Sequence, residues 1–297
     1  MKICLFMPIW KRPGILKICL DRLEKTLPPY AELIPVFVIS REDKYFDINL
    51  KLIEKYDYLI YKNNPFGEKK NAGLHYALRS DWDYLMELNS DSVFTKELWD
   101  YYEPYFGKSE FFGLRNLYFL DTVNNKAVFL RDYAYDHNDK PFAYGAGRVM
   151  SRKVCEEVKE MWRPDWNISM DGCSRYNILD AGFDEDVIET GEDPIMLNMV
   201  SFYNINPFSA AEEMREKYVD TDWLKKEFGL TEYEDGRVNL LSIDNFHREV
   251  LKRQQNTSQK DAFNEVNYIY RDTFGVLRYK NYNTYQAAIS RKMKHGR

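Results

Sequence analysis

Hydrophobic residues alternate with polar clusters along the first ninety positions, in lengths typical of strands and helices. Apolar runs of strand length occupy residues 2–9, 33–39, 58–61 and 84–88. Between them, apolar positions recur at helical spacing over residues 15–23, 50–58 and 69–78. Strand alternating with helix is typical of a layered α/β sheet, and we expect that class of fold here.

The alternation becomes less regular beyond residue 111. Short strands are predicted at 111–114, 117–120 and 127–130, and helices at 151–162, 210–228 and 244–255, with Ser151 as the N-cap of the first of these helices. Internal repeats and low-complexity linkers are absent from the sequence. The simplest partition is a catalytic domain over residues 1–245 and a helical, basic C-terminal extension over residues 246–297.

Polar clusters follow three of the predicted strands directly. They occupy residues 11–14, 40–43 and 89–92. In open α/β sheets, ligands bind beyond the carboxyl ends of the strands. We therefore expect these three clusters to contribute to one ligand site.

The composition indicates a globular protein without a membrane span. Hydrophobic residues make up 44% of the chain and aromatic residues 16%, which is enough to fill a core. The four cysteines show no CxxC pairing and suit a reducing compartment. No apolar stretch approaches the roughly 18 residues needed to cross a bilayer. The expected location is the cytoplasm.

The net charge of −5 conceals an asymmetry between the two ends of the chain. Residues 247–297 contain 11 Lys and Arg against 4 Asp and Glu, whereas residues 1–246 contain 31 against 43. An acidic body suits a metal, and a basic tail suits an anionic partner. A solvated helical face is the alternative explanation of the basic tail, and it is the more favoured one.

The third polar cluster, Asn89-Ser90-Asp91, has the chemistry of a divalent-cation site. A carboxylate beside an amide and hydroxyls suits a hard cation that takes phosphate oxygens as its other ligands. Such an ion would neutralise a leaving diphosphate. The alternative is an aspartate that caps the following helix.

Taken with segments 7–13, 36–40 and 67–73, this cluster resembles the GT-A glycosyltransferases, especially the family 2-like members. The resemblance implies a Rossmann-like, nucleotide-sugar-binding mixed sheet flanked by helices. It also implies metal-dependent transfer of a sugar from a nucleotide sugar, with UDP the expected nucleotide. The family's Asp-x-Asp holds Mn²⁺ or Mg²⁺ through its second carboxylate. This chain has Asn89-x-Asp91, so Asp91 is the expected metal ligand and the first position departs from the family pattern.

The resemblance also implies a set of donor-binding residues. The opening loop and the end of the second strand receive the base, a basic segment before a small-residue helix meets the diphosphate, and a glycine loop lies against the donor sugar. The implied residues are Pro8, Trp10, Arg12, Ser40, Glu42, Asp43, Lys69, Lys70, Asn71, Asn89, Ser90, Gly145, Gly147 and Arg148.

A general base is expected in the second half of the chain, because inverting GT-A enzymes carry an acidic residue before a helix there. Asp171 matches that position, with an N-cap aspartate as the structural alternative. Glu192 and Asp193 are rival candidates in an acidic turn. His247 is a candidate to complete the metal shell, although a lone histidine near a helix is more often structural.

Several functions remain open at this stage. The acceptor hydroxyl belongs to a glycan, a lipid-linked sugar or a protein, or, in a less favoured variant typical of phage enzymes, to a modified DNA base met by the basic, Tyr-rich tail. A nucleotidyltransferase is a second possibility, but residues 8–14 contain one glycine where such enzymes generally carry a Gly-rich phosphate loop. A non-enzymatic carbohydrate-binding protein that uses its many aromatic side chains is the third.

Overall fold

A computed structural model describes residues 1–131, 141–204 and 207–234, together with the backbone of residues 269–271 and 277–279. The strands are β1 (Lys2–Pro8), β2 (Glu32–Ile39), β3 (Asp57–Ile60), β4 (Tyr84–Glu87), β5 (Ser92–Phe94), β6 (Phe111–Leu114), β7 (Leu117–Asp121), β8 (Lys126–Leu130), β9 (Val149–Ser151), β10 (Asp186–Ile188), β11 (Met196–Val200), β12 (Lys217–Val219), β13 (Ile269–Arg271) and β14 (Leu277–Tyr279). The α-helices are α1 (Pro13–Lys25), α2 (Phe46–Ile53), α3 (Phe66–Ala77), α4 (Leu98–Tyr102), α5 (Arg152–Glu157), α6 (Met170–Asp180), α7 (Phe208–Met214) and α8 (Thr221–Glu227).

The larger sheet has seven strands in the order β10-β6-β9-β4-β1-β2-β3. Strands β1 to β4 run parallel to one another, and β9 is antiparallel to both β4 and β6. Because β1, β2 and β4 are neighbours with one direction, the polar clusters that follow them emerge at the same edge of the sheet. The mixed α/β fold with flanking helices is confirmed.

A second, five-stranded sheet has the order β12-β8-β7-β11-β5. Its edge strand β5 begins one residue after Asp91 and pairs antiparallel with β11. The Met199 N–H of β11 also donates to the Asp91 carbonyl oxygen at 2.7 Å. Asp91 therefore lies where the two sheets meet, with both of its neighbouring elements held by backbone hydrogen bonds.

Close packing of α3 against the larger sheet explains a glycine in the middle of that helix. A Cβ on Gly73 would lie 2.3 Å from Val38 Cγ2 and 2.6 Å from Phe6 Cε2. Both contacts belong to the central strands β1 and β2, which are apolar and buried along their carboxyl halves. A side chain at position 73 would push the helix off the sheet.

All seven elements predicted in the first ninety residues are present. Six of them shift their ends by at most three residues, whereas the helix predicted over 50–58 lies at Phe46–Ile53. Beyond residue 111, the predicted helix 151–162 ends at Glu157 as α5. Its N-cap is confirmed, because Ser151 Oγ accepts from the Val154 N–H at 3.2 Å. The chain leaves the helix because Trp162 binds elsewhere: its backbone N–H and carbonyl pair with the side chain of Asn71 at 3.1 and 2.5 Å.

The predicted helix 210–228 is wrong as a single element. It is divided into α7 and α8 by β12, which pairs with β8 at the edge of the second sheet. In the C-terminal extension, the two described segments form the antiparallel strands β13 and β14 rather than helix. The remainder of that extension, including the predicted helix 244–255, lies outside the described residues.

Two global expectations can be compared with the described ranges. No helix in them is long and apolar enough to cross a membrane. All four cysteines, Cys4, Cys19, Cys155 and Cys173, are buried as free thiols.

Candidate active site

The three polar clusters meet at the carboxyl edge of the larger sheet, as the sequence predicts. Arg12 Nη1 donates to the carboxylate of Asp91, and Arg12 Nη2 donates to Ser90 Oγ at 3.2 Å. From the second cluster, Asp43 Oδ2 accepts from the Lys11 N–H at 2.5 Å. The loops after β1, β2 and β4 are thus joined by side-chain hydrogen bonds into one wall.

The loop after β1 turns through two successive residues in the left-handed region, Lys11 at φ 60° and Arg12 at φ 56°. This conformation is unfavourable for residues with a Cβ and persists where surrounding contacts impose it. Asp43 imposes it through the Lys11 N–H, and Asn49 Nδ2 donates to the Lys11 carbonyl at 3.3 Å. Strain held in this way is typical of functional sites, and its effect here is to aim Arg12 at Asp91.

Asp91 is held from two sides through one of its two oxygens. Its Oδ2 accepts from Arg12 and from Asn204 Nδ2, the latter at 2.6 Å. Asn204 also accepts from Arg12 Nη1 at 2.9 Å through its amide oxygen. Within the described ranges, Asp91 Oδ1 has no hydrogen-bond partner. Asn204 is a site residue that sequence patterns could not reveal, because it lies 113 positions from Asp91.

A group of cations and rings flanks this carboxylate. The Tyr203 ring lies between two ammonium groups, Lys11 Nζ at 5.1 Å and Lys44 Nζ at 5.2 Å from its centroid. Lys44 Nζ also donates to the Tyr203 hydroxyl at 3.2 Å, and Lys11 Nζ lies 5.5 Å from the Trp10 ring centroid. With Arg12, these lysines make a positive surface beside Asp91, which favours an anion. Lys11 belongs to the predicted cluster 11–14, whereas Lys44 and Tyr203 were not predicted at the site.

The residues predicted to receive the base divide into accessible and inaccessible ones. Trp10 is half-buried and Glu42 is exposed, so both can meet a ligand. Pro8 is buried at the end of β1, and Ser40 is buried with its Oγ unbonded. Asp43 is buried and fully used in holding the loop. Pro8, Ser40 and Asp43 therefore shape the wall rather than line its surface.

Lys69, Lys70 and Asn71 are buried rather than exposed to a ligand, contrary to the expectation of a diphosphate contact. The helix α3 begins at Phe66, so the three residues lie inside the helix, where it packs against the sheet and the segment 162–166. Lys70 forms a buried ion pair with Glu87, and Asn71 binds the backbone of Trp162.

Lys69 is buried and has no carboxylate partner among the described residues. Its Nζ donates to the Ile9 carbonyl at 2.7 Å and to Asn63 Oδ1 at 3.0 Å. Burial lowers the pKa of Lys69 to about 7, because the charged ammonium loses its hydration. Lys69 therefore stabilises the start of the loop that carries Trp10, at the Ile9 carbonyl, instead of presenting its charge to a ligand.

Asp171 is the candidate base that the structure leaves available. It lies in the first turn of α6, after the N-cap residue Ser169, and is half-buried. Its carboxylate rests against the glycine loop: a Cβ on Gly145 would lie 2.2 Å from Asp171 Oδ1. In the described part of the chain, that carboxylate accepts no hydrogen bond. The loop and the candidate base, predicted separately, are thus brought together.

Gly147 and Arg148 serve the interior instead of a ligand. Gly147 has φ 83°, donates its N–H to the Glu87 carbonyl at 2.7 Å and accepts from the Tyr102 hydroxyl at 2.6 Å. Arg148 is fully buried, and its guanidinium donates to the carbonyls of Asp171 and Ala143 at 2.8 and 2.6 Å. The Arg148 guanidinium is therefore enclosed, and the phosphate contact expected of it stays a prediction. Arg148 fixes the start of α6 against the glycine loop.

The rival acidic turn lies at the other end of β11 from Asp91. Asp193 and Glu192 precede β11, whereas Asp91 is bound to Met199 near its end. Both carboxylates are exposed and occupied: Asp193 accepts from the Tyr101 hydroxyl at 2.5 Å, and Glu192 pairs with Lys217. The structure does not bring them to the site. His247, the candidate additional ligand, lies outside the described residues.

The donor set at Asp91 suits a metal that is completed by its substrate. In residues 1–131, 141–204 and 207–234, no group of three or more His, Cys, Asp or Glu side chains is placed to hold an ion. The free Oδ1 of Asp91 and the half-buried side chain of Asn89 supply oxygen ligands of the kind that Mg²⁺ and Mn²⁺ prefer. Such ions commonly take their remaining ligands from phosphate and water. The residues therefore fit an ion that binds together with a diphosphate.

No family model and no curated protein sequence matches the chain. Among solved structures, it is similar to S. aureus TarS. The TarS 1–349 complex with UDP-GlcNAc shares 14% identity, with a TM-score of 0.47, over 89% of this chain and 75% of that chain. A longer TarS structure shares 13% identity, with a TM-score of 0.48, over 89% and 45%. A 4-diphosphocytidyl-2C-methyl-D-erythritol synthase shares 13% identity, with a TM-score of 0.43, over 65% and 91%. These similarities concern the fold alone.

Proposed function

We propose that the chain is a glycosyltransferase that binds a UDP-sugar at the carboxyl edge of its larger sheet. The observation that carries the proposal is the meeting of Arg12, Asp91 and Asn204 beside a positive surface. A second carboxylate, Asp171, lies against a glycine loop that is tied to β4 through Gly147, and it accepts no hydrogen bond from the described residues. Transfer to a hydroxyl needs both a donor site and a base, and Asp171 is the proposed base.

The donor's nucleotide is assigned to the wall formed by the loops after β1 and β2. Trp10 offers an apolar face for stacking and Glu42 a carboxylate for the imide of uracil. Lys11, Arg12 and Lys44 supply positive charge for the diphosphate, and the planar guanidinium suits phosphate oxygens in particular.

Mn²⁺ or Mg²⁺ is the proposed cofactor, held by Asp91 with Asn89 beside it. When bound, the ion neutralises the charge that develops on the leaving diphosphate. Asp91 is suited to anchor it because Asn204 and the Met199 N–H fix the side chain and the backbone of that residue. An orienting partner of this kind strengthens a ligand's hold on its metal.

Asp171 is proposed to take the proton of the acceptor hydroxyl. The carboxylate needs little adjustment for this task, because the hydroxyl becomes strongly acidic only as the new C–O bond forms. A direct attack assisted by one base inverts the anomeric centre, so we propose an inverting enzyme. The proposed acceptors are a glycan, a lipid-linked sugar or a protein, with a modified DNA base as the less favoured variant.

The proposal is tested with UDP, Mn²⁺ and a panel of UDP-sugars. We expect Mn²⁺ and UDP together to raise the melting temperature, and the best-stabilising UDP-sugar to be hydrolysed slowly. Asp91→Ala should reduce that hydrolysis by at least about 100-fold, because the leaving charge loses its stabilisation. Asp193→Ala, an exposed carboxylate outside the site, is the matched control. Unchanged nucleotide binding and turnover in Asp91→Ala would overturn the assignment.

The same preparation separates the alternatives. A nucleotidyltransferase would release pyrophosphate from UTP and a sugar phosphate, and a carbohydrate-binding protein would bind glycans without consuming any UDP-sugar. A nucleotidyltransferase could also use the Asp91 carboxylate beside the positive surface. The unpaired Asp171 favours the glycosyltransferase, because nucleotidyl transfer to a phosphate needs no base at the acceptor.

A further inference from the structure

We infer that Arg12 acts as an internal counter-cation for Asp91, which a metal-bound diphosphate displaces, so that the divalent ion enters together with the nucleotide. The inference rests on the proposed function, since it assumes that Asp91 is the metal anchor. It adds an order of binding to that function and assigns Arg12 and Asn204 as positioning residues.

Arg12 already balances the negative charge of Asp91 when no ion is bound. The Arg12 guanidinium bonds Asp91 Oδ2, Asn204 Oδ1 and Ser90 Oγ. The Arg12 and Asp91 side chains are 12% and 9% exposed, so water screens their charges weakly. A dication that approaches the free Oδ1 of Asp91 therefore meets a carboxylate whose charge is largely balanced, and a guanidinium that repels it. A lone ion should bind weakly.

A diphosphate changes this balance, because it offers Arg12 a better partner. Phosphate oxygens accept the two parallel N–H groups of a guanidinium, and Arg12 has a buried Nε with no acceptor among the residues that the structure describes. Lys11 and Lys44 mark the adjacent surface as positive. Once Arg12 turns to a phosphate, the carboxylate of Asp91 is released for the ion that the same phosphates coordinate.

The surroundings allow the Arg12 side chain to move while its backbone stays in place. Asp43 and Asn49 hold the left-handed loop at Lys11, and the Arg12 carbonyl accepts from the Leu16 N–H at 2.9 Å in the first turn of α1. Asn204 keeps Asp91 oriented after the exchange, because its Nδ2 bonds Oδ2 independently of Arg12. The Asn204 amide is itself fixed by the Ser201 N–H at 2.9 Å.

The test measures Mn²⁺ binding directly, from the electron paramagnetic resonance signal of the free ion, with and without UDP. Wild-type protein should bind Mn²⁺ weakly alone and more tightly with UDP. Arg12→Gln should bind Mn²⁺ alone about tenfold more tightly than wild type, and UDP should improve its Mn²⁺ affinity by a smaller factor. Arg12→Met should change in the same direction, and Arg12→Lys, which keeps the charge, should resemble wild type.

Lys17→Gln is the matched control. It removes one positive charge from α1, the helix that follows Arg12, at an exposed pair with Asp21. Its Mn²⁺ affinity should equal that of wild type. Equal Mn²⁺ affinity of wild type and the two neutral Arg12 variants without UDP would overturn the inference, while leaving the proposed function intact if wild type still binds Mn²⁺ with UDP. Failure of wild type to bind Mn²⁺ even with UDP would overturn the proposed metal role and the inference together.

Discussion

Two ion pairs flank the carboxyl end of β4 and have opposite surroundings. Lys70–Glu87 lies at the last residue of the strand, with side chains 2% and 1% exposed. In Arg12–Asp91, the aspartate lies four positions further along the chain, and the two side chains are 12% and 9% exposed. Both are ion pairs between a cation and a carboxylate, but their roles differ because burial decides whether a charged side chain can change its partner. The inner pair is confined to one arrangement, whereas the outer pair can exchange.

The neighbours of each pair strengthen this distinction. Lys70 Nζ lies 4.2 Å from the centroid of the Trp162 ring, and the Oε2 of Glu87 is buried without a partner in the described ranges. Burial raises the pKa of Glu87, while Lys70 acts in the opposite direction. The Arg12–Asp91 pair instead contacts Ser90 and Asn204, polar groups that a phosphate or an ion can replace.

The largest expected effect is the loss of the inner pair. Lys70→Met should lower the free energy of unfolding by about 3–5 kcal/mol, because it leaves the Glu87 carboxylate buried and unpaired. Urea denaturation measures the change, and Lys17→Met at an exposed pair should cost less than about 1 kcal/mol. The double variant Lys70→Met/Glu87→Leu should recover most of the loss. A small effect of Lys70→Met would show that the inner pair is as replaceable as the outer one.

Lys69 extends the comparison to a buried amine without a carboxylate. Its folded pKa of about 7 lies below the value in the unfolded chain, about 10.4. Between these values the unfolded state binds more protons, so stability should rise with pH from about 7 towards 10, by up to about 1.4 kcal/mol per pH unit. Urea denaturation at pH 7, 8 and 9 should show a steeper rise for wild type than for Lys69→Met. If stability rose equally with pH in wild type and Lys69→Met, the lowered pKa of Lys69 would be contradicted.

The outer region is probed through its unpaired carboxylate. Asp171→Asn should slow hydrolysis of the donor by at least about 100-fold, because the acceptor proton loses its base. Its effect on UDP and Mn²⁺ binding should be small, since Asp171 lies against the glycine loop rather than beside Asp91. Asp193→Asn, whose carboxylate is already bound to Tyr101, is the control and should stay within a few-fold of wild type. If Asp193→Asn slowed donor hydrolysis more than Asp171→Asn, Asp193 would be the general base instead.

The smallest expected effect concerns the contact between Gly145 and Asp171. In Gly145→Ala, the new methyl group would meet the Asp171 carboxylate, which is the free end of a side chain and can shift. We expect donor hydrolysis to fall about tenfold through misplacement of the base. The free energy of unfolding should change by less than about 1 kcal/mol. If Gly145→Ala lost much stability but kept full activity, the glycine loop would have no role in placing the base.

The sequence was most informative where function and local pattern coincide. The polar clusters after β1, β2 and β4 were recognisable from apolar runs that end in polar residues, and Arg12 and Asp91 were among the residues predicted there. It was least informative for the segment 69–71, where a basic pair before a helix suggested an exposed phosphate contact. Lys70 is directed inward because Glu87, 17 residues later, faces the same buried position.

Periodicity and strand-end chemistry, which depend on neighbouring residues, determined the order of the elements in the first ninety residues, the layered α/β class and the edge of the sheet at which the site lies. Tertiary structure decided which charges are available. Asn204 reaches Asp91 because β11 pairs with β5, Asp171 meets Gly145 because α6 starts against the glycine loop, and Arg148 is enclosed by both. Burial and partner choice arise from contacts between distant segments, and these set whether a side chain holds the fold or meets a ligand.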